Sequence, residues 1–158
     1  MRQYKKIANR VGLAFLLASI GWACSNNAEP SPEAEVKAVI DNIEVAIESR
    51  SKSKIFKHVS DEYQDYKDND KQALQRFATI YMLRNQHIEL ITNISSVELI
   101  DESTVAVEAS VLMAGKSNNG GTLLNQLSAD NQRVSAVFKN EDGDWLLNSM
   151  SWEQQAKY

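Results

Sequence analysis

The run Thr104-Val105-Ala106-Val107-Glu108-Ala109-Ser110-Val111-Leu112-Met113 alternates without a break, with Val105, Val107, Ala109, Val111 and Met113 on one side and Ala106, Glu108 and Ser110 on the other. Successive side chains of a strand point to opposite faces, so this stretch predicts a sheet with one buried and one wet side. The same period of two continues outward, at residues 87–94, 97–100, 133–139 and 144–152. Asp101-Glu102-Ser103 and Asn140-Glu141-Asp142-Gly143 supply the turns, and the second ends in the Asp-Gly pair of a tight hairpin. Residues 115–132 are too many for a plain hairpin. Either the flanking strands extend into this region, or it forms a flap carrying Leu123, Leu124 and Leu127; it is the segment whose design looks functional.

Before Asn85 the period is helical. Val36, Ile40, Ile43 and Ile47 make one apolar stripe, widened by Val39 and Ala46, so residues 33–49 predict an amphipathic helix. Ser31 is its N-cap, Pro32 takes the tolerated first position, and Glu33 and Glu35 face the positive end of the helix dipole. Residues 51–59 predict a second, shorter helix presenting Ile55, Phe56 and Val59, and the Arg50-Ser51-Lys52-Ser53-Lys54 run before it reads as a solvated corner. A short strand is expected at residues 62–66. Asn69-Asp70 then caps a third helix over residues 71–84, with Leu74, Phe77, Ala78 and Tyr81 on its apolar face. Helices first and antiparallel strands afterwards is the α+β order, and residues 33–158 read as one such domain.

The start of the chain is of a different kind. Arg2, Lys5, Lys6 and Arg10 precede the uncharged, mostly apolar residues 11–23, the layout of an export signal. Those 13 residues span only about 20 Å as a helix, short of a hydrocarbon core of about 30 Å, so cleavage is expected rather than a permanent span. Ile20-Gly21-Trp22-Ala23-Cys24 resembles the lipobox of bacterial lipoproteins, with Gly21 and Trp22 where that motif usually has Leu and a small residue. The resemblance implies a signal peptide over residues 1–23 and a lipidated Cys24. Ser25 resembles the residue that sends such proteins to the outer membrane, implying its periplasmic face. Cys24 as an incidental residue of a plain signal stays open as the alternative. Residues 24–32 hold both prolines and little apolar surface, a linker; the eight from Ser25 reach at most about 28 Å. Loss of the first four cations leaves 13 of 17 basic residues against 21 acidic ones, a net charge of −8, and such a chain as a whole is expected to repel nucleic acid and anionic lipid headgroups. A single cysteine excludes an intramolecular disulfide.

Within the domain, His58-Val59-Ser60-Asp61-Glu62-Tyr63 after the second helix, and Gly143-Asp144-Trp145-Leu146-Leu147 leading to Trp152, sit in an element order that resembles the NTF2-like (SnoaL-like) superfamily over residues 33–153. The resemblance implies about three helices packed on a strongly curved antiparallel sheet, a cone with an internal pocket. A cystatin-like layout, one helix wrapped by a sheet, is the neighbouring alternative. Isomerases and cyclases of that superfamily set carboxylates or a His and Asp pair inside the cone, with tyrosine support. Here the first helix has no Tyr and the inward stripe of residues 104–113 has no acid.

Three groups remain as candidates for chemistry. His58 with Asp61 and Glu62 gathers on one face if the segment is helical. His87 and Glu89, two apart on a strand, either pair in a pocket or mark its exposed face. Tyr63, Tyr66, Tyr81, Trp145 and Trp152 offer aromatic area with polar handles for a ligand, or ordinary core packing. The pocket set expected from this reading is Tyr63, Tyr81, His87, Trp145 and Trp152. Phosphate-binding glycine loops, zinc spacings and nucleophile elbows are absent, so no cofactor or metal is expected. The sequence therefore points to a lipid-anchored, non-catalytic domain binding an envelope protein or a small apolar ligand. The alternative is a small-molecule enzyme using a histidine and a carboxylate in the cone.

Overall fold

A computed structural model describes residues 29–117 and 127–154; Cys24 and half of the expected flap, residues 118–126, lie outside these. The elements run α1 (Pro32–Glu48), α2 (Lys52–Phe56), β1 (Val59–Asp65), α3 (Lys71–Arg84), β2 (Asn85–Asp101), β3 (Thr104–Ser117), β4 (Leu127–Glu141) and β5 (Asp144–Gln154). One five-stranded curved sheet has the order β1-β5-β4-β3-β2. The α+β order and the helix over residues 71–84 match the sequence reading. β3 and β4 do extend into residues 115–132, leaving residues 118–126 between them outside the described part.

Three expectations need correction. β1 pairs with β5 in parallel, so the sheet is antiparallel only across its other four strands. α2 stops at Phe56 rather than running to residue 59, because Val59 and Ser60 already belong to β1 and both are buried. The runs at residues 87–94 and 97–100 are one strand, β2, interrupted by a register shift between Ile94 and Ser96. Such a shift bends the strand and raises its twist, which lets the long β2–β3 ribbon curl over the helices.

Capping fixes the helices. Ser31 Oγ accepts from Ala34 N at 3.3 Å and Asp70 accepts from Ala73 N at 2.7 Å, each satisfying a first-turn donor that lacks a partner within its helix. Two residues beyond α1, Arg50 closes the helix: its φ of 56° is the left-handed turn in which Arg50 N and Ser51 N donate to Ile47 O and Ala46 O. The Arg50 side chain crosses to α3 and donates to Met82 O at 2.6 Å and Gln86 O at 2.9 Å. It thus caps one helix with its backbone and another with its guanidinium. Arg50→Ala is expected to lower stability by about 2 kcal/mol, two charge-assisted bonds at a partly exposed site, read as a fall in the urea midpoint.

α1 also closes the sheet's β2 edge. Glu44 accepts from Thr92 N at 2.9 Å and Glu48 from Leu90 N at 3.2 Å. One helical turn between the two carboxylates matches two residues along the strand, so the edge donors pointing away from β3 find partners.

The core lies between the concave face of the sheet, α1 and α3. Val36, Val105, Val107, Phe138, Trp145 and Leu147 are all buried within it. Asp142 (φ 55°) and Gly143 (φ 96°) form the predicted tight turn, tied by Gly143 N to Asn140 Oδ1 at 3.0 Å.

Candidate functional site

Strand register divides the concave face into layers. At the hairpin end, Val105, Phe138 and Leu147 stand side by side and are buried. The next layer is Val107, Ala136 and Met150, with Met150 only partly buried. Ala109, Val134 and Trp152 follow, and only Ala109 is buried. In the fourth layer Val111 and Gln132 are both partly exposed. On the inward positions of β4 and β5, and of β3 as far as Met113, burial decreases away from the Asp142-Gly143 turn. β2 runs the other way, with Asn85 and Ile88 buried at its start and Leu99 and Ile100 exposed at its end. The concave face is therefore solid at the turn and opens around Val111, Val134 and Trp152.

The open end has an apolar wall and one amide whose oxygen is buried. Directly opposed residues of an antiparallel pair share a face, so Gln132, opposite Val111, points inward. Its Oε1 is buried and accepts no hydrogen bond. Tyr66 meets Trp152 edge to face, with ring centroids 5.0 Å apart and planes at 87°, and the Lys67 ammonium stands 5.0 Å from the Tyr66 ring centre. Deeper in the core, the Tyr63 hydroxyl is buried with no partner. Burial, with a smaller contribution from the Asp65 charge, pushes the Tyr63 phenol far above its ordinary pKa, so it stays a neutral donor.

The five expected pocket residues do not converge. Trp145 is at the solid end, where its Nε1 donates to Glu35 Oε2 at 2.7 Å and pins β5 to α1. Tyr81 packs on the core beside Gly115. His87 is turned to solvent: Nε2 lies 3.3 Å from Glu89 Oε1 and both side chains are 69% exposed. The reason is strand alternation, which gives the inward positions to Ile88 and its same-face neighbours. Tyr63 and Trp152 remain as interior groups.

His58, Asp61 and Glu62 are likewise separated, because Val59–Asp65 is a strand and not a helix. Asp61 forms an ion pair with Lys71 at 2.8 Å and is fully open to water, while Glu62 is exposed. His58 Nε2 is buried and unpartnered at the solid end, where His58 O accepts from Leu147 N. Desolvation and the Lys57 charge lower its pKa against the opposing pull of Asp144, so the ring is neutral at pH 7. Among the described residues no cluster of three His, Cys, Asp or Glu side chains is placed to hold a metal ion.

The sequence reading passed over Gln132, whose inward position follows only from the β3–β4 register, and Asp65. Asp65 accepts from Lys67 N at 2.7 Å, Asn69 N at 2.9 Å and Asn69 Nδ2 at 2.9 Å, closing the turn before α3. Burial opposes its charge, yet these donors outweigh it and hold the pKa below the ordinary 3.8. A folded pKa below the unfolded value stabilises above the unfolded value and the gain disappears as pH falls through the folded one. Asp65→Asn is therefore expected to reduce the melting temperature at neutral pH, with the gap to wild type closing below about pH 4.

No protein-family model and no curated protein matches the sequence. Solved structures do. A ketosteroid isomerase-like protein from Erwinia carotovora atroseptica superposes with a TM-score of 0.62 at 9% identity, covering 78% of this chain and 96% of that one. An NTF2-like protein of unknown function in nutrient uptake from Rhodospirillum rubrum gives 0.60 at 12% identity, over 77% and 98%. A protein from Nostoc punctiforme described as having a cystatin-like fold gives 0.59 at 9% identity, over 77% and 89%. The fold is thus NTF2-like, a class that holds isomerase-like and dehydratase-like proteins alongside others of unknown function. At these identities the likeness concerns the fold alone.

Proposed function

We propose that the domain is a non-catalytic binding module that takes a small, largely apolar ligand carrying one hydrogen-bond donor into the open end of the cone. The observation that carries this reading is the buried, unpartnered Gln132 Oε1 set in a wall of Val111, Val134 and Trp152. A buried acceptor without a partner is unfavourable by about 1–3 kcal/mol, and a ligand N–H or O–H at that point removes the penalty. The wall supplies the apolar area expected of a small-molecule site.

Catalysis is the less favoured reading because the acid–base groups are elsewhere. His58 sits at the solid end and His87 in solvent, and the interior tyrosine Tyr63 has a raised pKa. Neither histidine of the chain faces the opening.

The N-terminal sequence supports a second part of the proposal: cleavage before Cys24 and lipid attachment there, placing the domain on the periplasmic face of an outer membrane. Two or more acyl chains make such attachment effectively stable. A tether of this kind also suits an envelope-protein partner. Native mass spectrometry of the full chain purified from its own envelope tests both parts. The expected result is a lipid-modified N-terminal Cys24 and a bound small molecule, whose affinity falls about tenfold in Gln132→Leu. A protein retaining Met1 refutes the tether; an empty domain that crosslinks to one defined protein refutes the small ligand.

A further inference from the structure

The charges of this domain are segregated. Between Ser49 and Ser60 the chain carries Arg50, Lys52, Lys54 and Lys57 and no acid; between Lys71 and Ile88 it carries Lys71, Arg76 and Arg84 and no acid. These two segments hold seven of the 13 basic residues beyond Cys24. They are brought together by the fold, because α2 lies along α3: Lys52 Nζ reaches Thr79 Oγ1 at 3.4 Å, and Lys52, Phe56, Gln75, Arg76, Thr79 and Ile80 line an open groove of about 710 Å³ between them. Arg50 and Lys71 are engaged in structural bonds, which leaves Lys52, Lys54, Lys57, Arg76 and Arg84 as the solvent-facing cations of this side.

The same side exposes large apolar groups. Phe77, Ile80 and Leu83 are 52%, 47% and 69% exposed, and their spacing of three sets them in an oblique row along α3 beside Arg76 and Arg84. The core-facing positions of α3 are instead Ala73, Leu74, Ala78, Tyr81 and Met82. In the sequence reading Phe77 belonged to that buried stripe; it lies at the stripe's edge and is turned out by the curvature of the helix surface.

We infer that the α2–α3 face is a docking surface for an anionic lipid bilayer. Two features favour a bilayer over an acidic protein. The apolar groups protrude singly at helical spacing among cations, the arrangement that lets side chains enter the acyl boundary while Lys and Arg meet the headgroups. The concavity beside them sets the apolar Phe56 and Ile80 among Lys52, Gln72, Gln75 and Arg76, again apolar groups interleaved with cations. On this side Asp61 is offset by its ion pair with Lys71 and Asp70 caps α3, whereas Asp101, Glu102, Glu141, Asp142 and Asp144 gather on the two neighbouring hairpin turns, which Asn140 N joins to Ser103 O. Attraction of one face and repulsion of the other orient the domain, with α3 parallel to the bilayer plane.

Hydrogen exchange of the full chain in phosphatidylcholine vesicles, with and without phosphatidylglycerol, tests this. Amides of α2 and α3 are expected to exchange at least about tenfold more slowly with phosphatidylglycerol, and the effect disappears in high salt. It is lost in Lys52→Glu/Lys54→Glu/Arg76→Glu, all at exposed or groove positions, and reduced in Phe77→Ser/Ile80→Ser, which keeps every charge. Equal exchange on both vesicles overturns the inference. So does slowing that survives the triple replacement, or slowing produced by polyglutamate and not by lipid, which assigns the face to an acidic protein. The readout is local to α2 and α3, so it does not depend on how Cys24 is processed or on what the cone binds.

Discussion

Trp145→Ala is expected to destabilise the fold by about 4 kcal/mol, the upper part of the range for deleting a large buried aromatic. The ring is 4% exposed in the solid end of the cone, among Val36, Val105, Phe138 and Leu147. Its loss opens a cavity where α1 meets β5, and it also strands the Glu35 carboxylate that now receives Nε1–H at 2.7 Å. The two contributions separate experimentally. Trp145→Phe keeps most of the packing and removes the donor, and about 1–2 kcal/mol is expected for it. Glu35→Gln keeps an acceptor and loses only the charge, so it should be milder still. Urea unfolding is the measurement: the midpoint shifts while the slope stays constant. Equal stability of Trp145→Ala and Trp145→Phe would mean that the packing at this end contributes little.

Gly115→Ala is the second large effect. A methyl group at Gly115 would lie 2.5 Å from Asn85 Oδ1 and 2.9 Å from the Tyr81 hydroxyl. Both neighbours are held. Asn85 is buried and donates Nδ2 to Tyr81 O at 2.9 Å, fastening the end of α3 to the start of β2, and Tyr81 is packed on the core. Neither moves away cheaply, so overpacking of about 2–3 kcal/mol is expected. Truncation of the obstacle gives the check: Asn85→Ala alone destabilises by losing the Tyr81 bond, yet combined with Gly115→Ala it should recover part of the loss. Strict additivity of the two changes would show that the close approach does not limit this position.

These effects also explain what sequence alone gives away and what it hides. The stripe Val105, Val107, Ala109 was legible because alternation on one strand is a local signal, and the Asp142-Gly143 turn because φ > 0 at both positions demands such residues. Parallel pairing of β1 with β5 was not legible, since nothing in residues 59–65 states which strand lies beside them. The candidate site was hidden for the same reason. Gln132 is one polar residue in a polar stretch until the register sets it opposite Val111. His87 and Glu89 were legible as a pair, but which face they share was fixed only by the burial of Ile88. Trp145 was expected in a pocket and stands instead in the core at the solid end, a property of the layers rather than of the residue.

The claim on which the account turns is that the cone opens into a ligand site near Gln132 and Val134. Titration of the apolar fluorophore N-phenylnaphthylamine into the full chain, wild type against Val134→Trp, tests it most directly. Val134 is partly exposed in the third layer, so the larger ring should fit the opening without unfolding the domain, and unchanged urea unfolding verifies that. Saturable binding to wild type, weakened about tenfold or more in Val134→Trp, is the predicted result. Identical titrations for the two proteins would contradict it.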